Sequence, residues 1–136
     1  SMAHFDNVIS VNAELEKKFG MSYLIRSSGP TLHMAGILSA DKNFEVYGEG
    51  DMAAQIQRIY DRMNAVLANA GCTLINVVSE ISFTTDIQAL AEASHVRDEI
   101  YRAAGAAPPV ATAVQVSALY LPGAMLEIQA TAELST

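Results

Sequence analysis

The C-terminal stretch decides the fold: Pro108-Pro109-Val110-Ala111-Thr112-Ala113-Val114-Gln115-Val116-Ser117-Ala118-Leu119-Tyr120-Leu121-Pro122-Gly123-Ala124-Met125-Leu126-Glu127-Ile128-Gln129-Ala130-Thr131-Ala132-Glu133. It predicts two strands joined by a short turn at Leu121-Pro122-Gly123, because Pro presets φ and Gly tolerates φ > 0. In the second strand Leu126, Ile128, Ala130 and Ala132 alternate with Met125, Glu127, Gln129, Thr131 and Glu133. In the first, Thr112, Val114, Val116 and Ala118 oppose Ala111, Ala113, Gln115 and Ser117. Small side chains beside Glu127 and Gln129 suit neither a core nor an ordinary charged surface. They suit the wall of a cleft.

Upstream, strands and helices alternate. A short strand is expected near residues 8–11 and a helical turn at 14–19, ended by Gly20. Residues 22–26 and 31–38 read as strands around the turn cluster Ser27-Ser28-Gly29-Pro30. Residues 41–49 are a polar loop with room for a short strand at 45–47. A helix is predicted over 51–70, where Met52, Ile56, Ile59, Met63, Val66, Leu67 and Ala70 recur at three- and four-residue steps. Asp51 supplies its start signal and Gly71 its stop. Residues 73–85 predict a strand, with Val77, Ile81 and Phe83 on one face and Val78, Glu80, Ser82 and Thr84 on the other. Asp86 caps a second helix running to residue 104, with Leu90, Ala93, Val96, Ile100 and Ala104 as its buried stripe. Gly105 ends it, and Ala106-Ala107-Pro108-Pro109 is a stiff connector. The order ββαβαββ predicts an α+β fold, a single mixed sheet with both helices on one face.

With 136 residues the chain reads as one domain, 1–136, able to bury a core without disulfides. No apolar run approaches the roughly 18 to 20 residues needed to cross a bilayer, so no membrane partner is expected. The single cysteine, Cys72, excludes an internal disulfide and a cysteine-rich metal site, and no leader pattern opens the sequence. That combination predicts the cytoplasm. His4 and His33 have no companions at ligand spacing, so neither metal nor cofactor is expected. The formal net charge is −7, with eight scattered Lys and Arg. Nucleic-acid binding draws on a basic patch, and the sequence has none.

Pro109-x-x-Thr112-x-Val114-Gln115-Val116, followed by Leu121-Pro122-Gly123-Ala124-x-Leu126-Glu127-Ile128-Gln129-Ala130-Thr131-Ala132, resembles the C-terminal signature of the Rid/YjgF family. That family holds enamine/imine deaminases and was long labelled endoribonuclease L-PSP. Leu32-His33-Met34-Ala35-Gly36-Ile37 likewise stands in place of its Ile-Ile-x-Ser-Gly-Gln. The resemblance spans roughly residues 22–132 and implies a chorismate-mutase-like fold whose sheets close into a trimeric barrel, with ligand clefts between subunits. Deaminating members carry Pro-Ala-Arg-Ser/Thr at the start of the final strand pair, and the arginine grips a substrate carboxylate. The corresponding run here is Pro109-Val110-Ala111-Thr112, which puts Ala111 at the arginine position. The family's glutamate is kept as Glu127, and the second glutamate of its pattern is Gln129.

These residues define the expected site. Glu127 is a solvated strand carboxylate on its own sequence context; the resemblance makes it the group that activates water. A carboxylate in a narrow, partly dry cleft has its pKa raised and can handle the proton of an attacking water. His95 reads either as a surface histidine or as an acid–base partner. Gly36 reads as a packing glycine or as a point of close ligand approach, and the resemblance favours the second. Tyr23, Tyr47 and Tyr120 line the cleft or simply pack. Ala111, Thr112, Gln129 and Tyr23 complete the expected ligand-binding set. Without a bidentate arginine the pocket should favour a neutral or aromatic ligand over a 2-imino acid. The expected function is a small-molecule hydrolase or deaminase acting on an imine, enamine or related nitrogen compound. The alternative is a non-catalytic trimer that binds a metabolite or protein, and an endoribonuclease is disfavoured by charge.

Overall fold

A computed structural model describes residues 7–134 apart from residue 28; His4 and Ser28 lie outside the described residues. The N-terminal part forms a small ribbon, β1 (Val8–Ile9) pairing antiparallel with β2 (Leu24–Ile25). Helix α1 (Ala13–Phe19) lies between them in sequence. The Asn12 side chain accepts the Leu15 N–H at its start, and Gly20, at φ 61°, closes it in the left-handed conformation that glycine adopts without strain.

The main sheet contains β3 (Thr31–His33), β4 (Ile37–Leu38), β5 (Val77–Thr84), β6 (Val110–Gln115) and β7 (Leu126–Glu133). Its order is β3-β7-β5-β6, with β4 also pairing to β7. The final two strands are therefore not a hairpin. β5 lies between them, parallel to β6 and antiparallel to β7. The physical reason is the connection: residues 116–125 are too many for a tight turn and instead cross the end of β5, where the Val116 N–H donates to the Thr84 carbonyl at 2.8 Å. Parallel pairing of β5 with β6 needs a crossover, supplied by α3 (Ile87–Glu92) and α4 (Ser94–Ala103).

Other departures are local. The strand expected over 31–38 breaks at residues 34–36, so β3 and β4 contact β7 separately. Of the strand expected at 22–26 only β2 remains, and Ser22 makes an isolated bridge to Val110. Residues 45–47 give one bridge, Ala40 to Val46. The expected second helix is two helices, because Ala93 (φ −96°, ψ 4°) leaves helical geometry. A 3-10 turn, Leu74–Asn76, precedes β5.

Helix α2 (Met52–Ala68) starts at Asp51, whose side chain accepts the Ala54 N–H at 3.0 Å. Its buried stripe includes Met52, Ile56, Ile59, Met63 and Leu67, while Val66 and Ala70 are exposed. The stripe packs on Leu126, Ile128, Ala130 and Ala132 of β7, all buried in one core. Each such large side chain contributes roughly 1.5–3 kcal/mol. No helix of the described residues is long and apolar enough to cross a membrane.

On β5 the alternation runs against simple expectation. Glu80, Ser82 and Thr84 are buried, while Ile81 is 38 % exposed. A bulge between Val77 and Ser79 shifts the register, so two successive valines, Val77 and Val78, are both buried. The polar side chains then face the helices, and Ile81 and Phe83 face the uncovered side of the sheet.

Candidate functional site

The polar face of β5 is explained by what it meets. Glu80 is 2 % exposed, and its carboxylate accepts the Tyr60 hydroxyl at 2.8 and 2.9 Å and the Tyr101 hydroxyl at 2.8 Å. Arg97, from α4, donates Nε to the same carboxylate at 2.5 Å and Nη1 to the Gly20 carbonyl at 2.8 Å. The two tyrosine rings meet edge to face at 5.5 Å, and the guanidinium lies 5.1 Å from the Tyr101 ring centre. Four side chains from α2, β5 and α4 thus form one buried network. Among the described residues Arg97 Nη2 and Asp98 Oδ1 are buried without a hydrogen-bond partner.

The network sets the charge states. Burial, then the Glu80 carboxylate, raises the pKa of both phenols well above the usual tyrosine value, so both remain donors. Burial by itself would lower the pKa of Arg97, but Glu80 opposes it, together with the two tyrosines, and the net shift is upward. Arg97 is a fixed cation, neutralised from within the protein.

A pocket of about 250 Å³ opens beside this network, between the helices and the β6 edge. Ala111, Thr112 and Ala113 border it, opposite Leu90, Ser94 and Arg97. Register explains why: Ala111 sits across from Glu80 and Ala113 from Ser82, so these alanines share the helix-facing side of the sheet. Gln115, next on that side, accepts the Ile87 N–H at 2.9 Å and ties β6 to α3.

Glu127 lies on the opposite face. Its strand neighbour across the sheet is Phe83, and with Gly36, Gln129 and Tyr120 it lines a wide groove of about 440 Å³. Gly36 has a specific reason to be glycine: a Cβ there would come within 2.9 Å of the Glu127 carboxyl carbon. Gln55, buried in α2, positions the segment leading to this strand. Its side chain accepts the Met125 N–H at 2.8 Å and donates to the carbonyls of Gly48 and Gly123 at 3.1 and 3.2 Å.

The residues singled out from sequence therefore fall in three places. Glu127, Gly36 and Gln129 share the groove; Ala111 and Thr112 share the helix-side pocket. Within a single chain the sheet separates the two groups. Tyr23 is 48 % exposed and borders neither. His95 is exposed on α4, where Nδ1 lies 3.2 Å from the Glu92 carbonyl oxygen, and it also borders neither. Sequence reasoning missed the Glu80–Tyr60–Tyr101–Arg97 network. The available signal was a glutamate within an otherwise strand-forming run, which has to be paired if buried.

The fold and sequence match known proteins over most of the chain. The family described as Endoribonuclease L-PSP matches residues 14–134. Protein DfrA of Myxococcus xanthus is 32% identical over 105 residues, 77% of each chain. The crystal structure of the Rid-family protein YyfB from Yersinia pestis superposes with a TM-score of 0.80 at 32% identity, covering 94% of this chain and 99% of that one. Rv2704 of Mycobacterium tuberculosis, a member of the YjgF/YER057c/UK114 family, is also 32% identical, with a TM-score of 0.63 over 93% and 98% of the two chains.

Proposed function

Because the chain belongs to the Rid/YjgF (endoribonuclease L-PSP) family, we propose that it is a hydrolase of imines, enamines or related small nitrogen compounds. The observation that carries this reading is the Glu127 carboxylate set against Gly36 in an open groove, where a side chain at residue 36 would displace it. Glu127 takes a proton from water as the oxygen adds to the C=N carbon. The proton passes to nitrogen, and the carbinolamine collapses to carbonyl and ammonia, so that R₂C=NH + H₂O gives R₂C=O + NH₃.

The site is completed by a second copy of the chain in a trimer. The pocket at the β6 edge of one copy faces the Glu127 groove of the next. Two features support this. Strand β6 is an edge strand exposed along most of its length, and the sheet face carrying Glu127 presents Ile81 and Val114, 38 % and 40 % exposed, with no helix over it. His95, exposed in a single chain, would assist only from such an interface.

Ala111 removes the carboxylate grip, so 2-imino acids are poor substrates in this reading. An endoribonuclease is disfavoured by the net charge of −7. Glu127→Gln is the test. The variant should lose roughly 10²–10⁴-fold in imine hydrolysis while ligand binding survives. A fully active variant would contradict the assignment, and binding without turnover in the wild type would favour a non-catalytic binding module.

A further inference from the structure

The helix-side pocket bears directly on which molecules the site accepts. An arginine, Arg97, does border it beside Ala111, so a carboxylate grip relocated from strand to helix is the obvious reading. The geometry argues against it. Nε is bonded to Glu80 and Nη1 to the Gly20 carbonyl, and Nη2, although it has no hydrogen-bond partner among the described residues, is buried out of reach of the pocket's solvent. Asp98 adds a second carboxylate 3.6 Å from Nη1. Coulomb energy falls only as 1/r, so one attraction at about 4 Å is cancelled by two repulsions at about 8 Å. A carboxylate entering beside Arg97 would meet both acids well within that range. It gains no net attraction and loses its hydration.

What the pocket offers instead is apolar surface and hydroxyl groups. Leu90, Leu126 and Ile128 supply walls. Ser82, on β5 beside Ala113, is 8 % exposed, borders the pocket, and its hydroxyl has no hydrogen-bond partner among the described residues. Ser94, on the opposite wall, donates to the Ala91 carbonyl at 2.9 Å, which leaves its oxygen free to accept. The volume of about 250 Å³ falls just under the roughly 300–1,000 Å³ of drug-sized sites. It is the size for one small ring or a short branched chain.

We infer that this pocket selects an uncharged, compact, largely apolar molecule oriented by the Ser82 hydroxyl, and that the closed Arg97–Glu80 pair excludes carboxylates. The inference rests on the reading of this pocket as the substrate site, and it narrows that site's substrates to neutral imines and enamines.

The test uses binding, not turnover. Benzamide and benzoate share a ring and differ in charge, and each is titrated into the full chain while the backbone amides of residues 82, 94 and 111–113 are followed by NMR. Benzamide should shift these amides, with benzoate weaker by roughly tenfold or more. Ser82→Ala should weaken benzamide about fivefold to tenfold at unchanged melting temperature. Ala111→Arg, at an exposed strand position beside Glu80, should reverse the preference toward benzoate. Benzoate binding as tightly as benzamide in the wild type would overturn the inference, as would a Ser82→Ala variant with unaltered affinity. If the binding pattern holds while Glu127→Gln leaves hydrolysis intact, the pocket assignment stands and the catalytic role of Glu127 fails.

Discussion

Substituting Arg97 by Met gives the sharpest test of the buried network. The change keeps most of the side-chain volume but leaves Glu80, 2 % exposed, without a counter-charge. Removing one member of a buried ion pair costs about 3–5 kcal/mol, because the remaining charge stays desolvated. For 136 residues, at about 2.1 cal/mol/K of unfolding entropy per residue, that is a fall of roughly 10–17 °C in melting temperature. The two tyrosine hydroxyls still donate to Glu80, which favours the lower end. Adding Glu80→Gln in the same chain removes the stranded charge and keeps a carbonyl acceptor for the tyrosines. The double variant should recover more than half of the loss. Calorimetry or thermal circular dichroism reads both values. A loss under about 3 °C for Arg97→Met, or a double variant less stable than the single, would refute the reasoning.

Further expectations follow from the same geometry. Tyr60 and Tyr101 have folded pKa values raised above the unfolded tyrosine value of about 10. The folded chain therefore holds their protons longer than the unfolded chain, and stability present below pH 10 is lost above it, by about 1.4 kcal/mol per pH unit per tyrosine. An ultraviolet titration of single Tyr→Phe variants should show Tyr60 and Tyr101 ionising only with unfolding. Gly36→Ala should move the Glu127 carboxylate and cut hydrolysis about tenfold or more, with melting temperature nearly constant; unchanged turnover would mean the contact is incidental. Ile81→Asp should convert a trimer to smaller species by light scattering, because it places a charge on the uncovered sheet face. A wild-type monomer at micromolar concentration would remove the shared-site picture.

The long helix was legible because its stripe, its Asp51 cap and its Gly71 stop agree with one another. The two faces of β7 were legible for the same reason, since strict alternation admits one reading. Strand order was not. Pro122-Gly123 is a strong turn signal, but residues 116–125 use it inside a loop that crosses β5, and local chemistry cannot specify which strand lies beside β6. The single second helix failed at Ala93, where nothing in the side-chain pattern marks a break. From residue 80 onward the alternation along β5 separates its two faces, but nothing in it says what either face meets. Glu80 is buried only because Arg97, from a helix that follows β5, supplies its counter-charge. Pairings between distant elements leave no periodic trace in the chain. The candidate site divides the same way: Glu127 and Gly36 are singled out by local motif, whereas the Arg97 network is visible only in three-dimensional contact.

Hydrolysis of a neutral imine can be checked in one comparison. Ammonia release by the wild-type chain is measured on freshly generated N–H benzaldimine and on 2-iminopropionate, each against its uncatalysed rate. The neutral imine should be accelerated, and the carboxylate-bearing one little or not at all. Acceleration of neither, or preference for 2-iminopropionate, would contradict the proposed function.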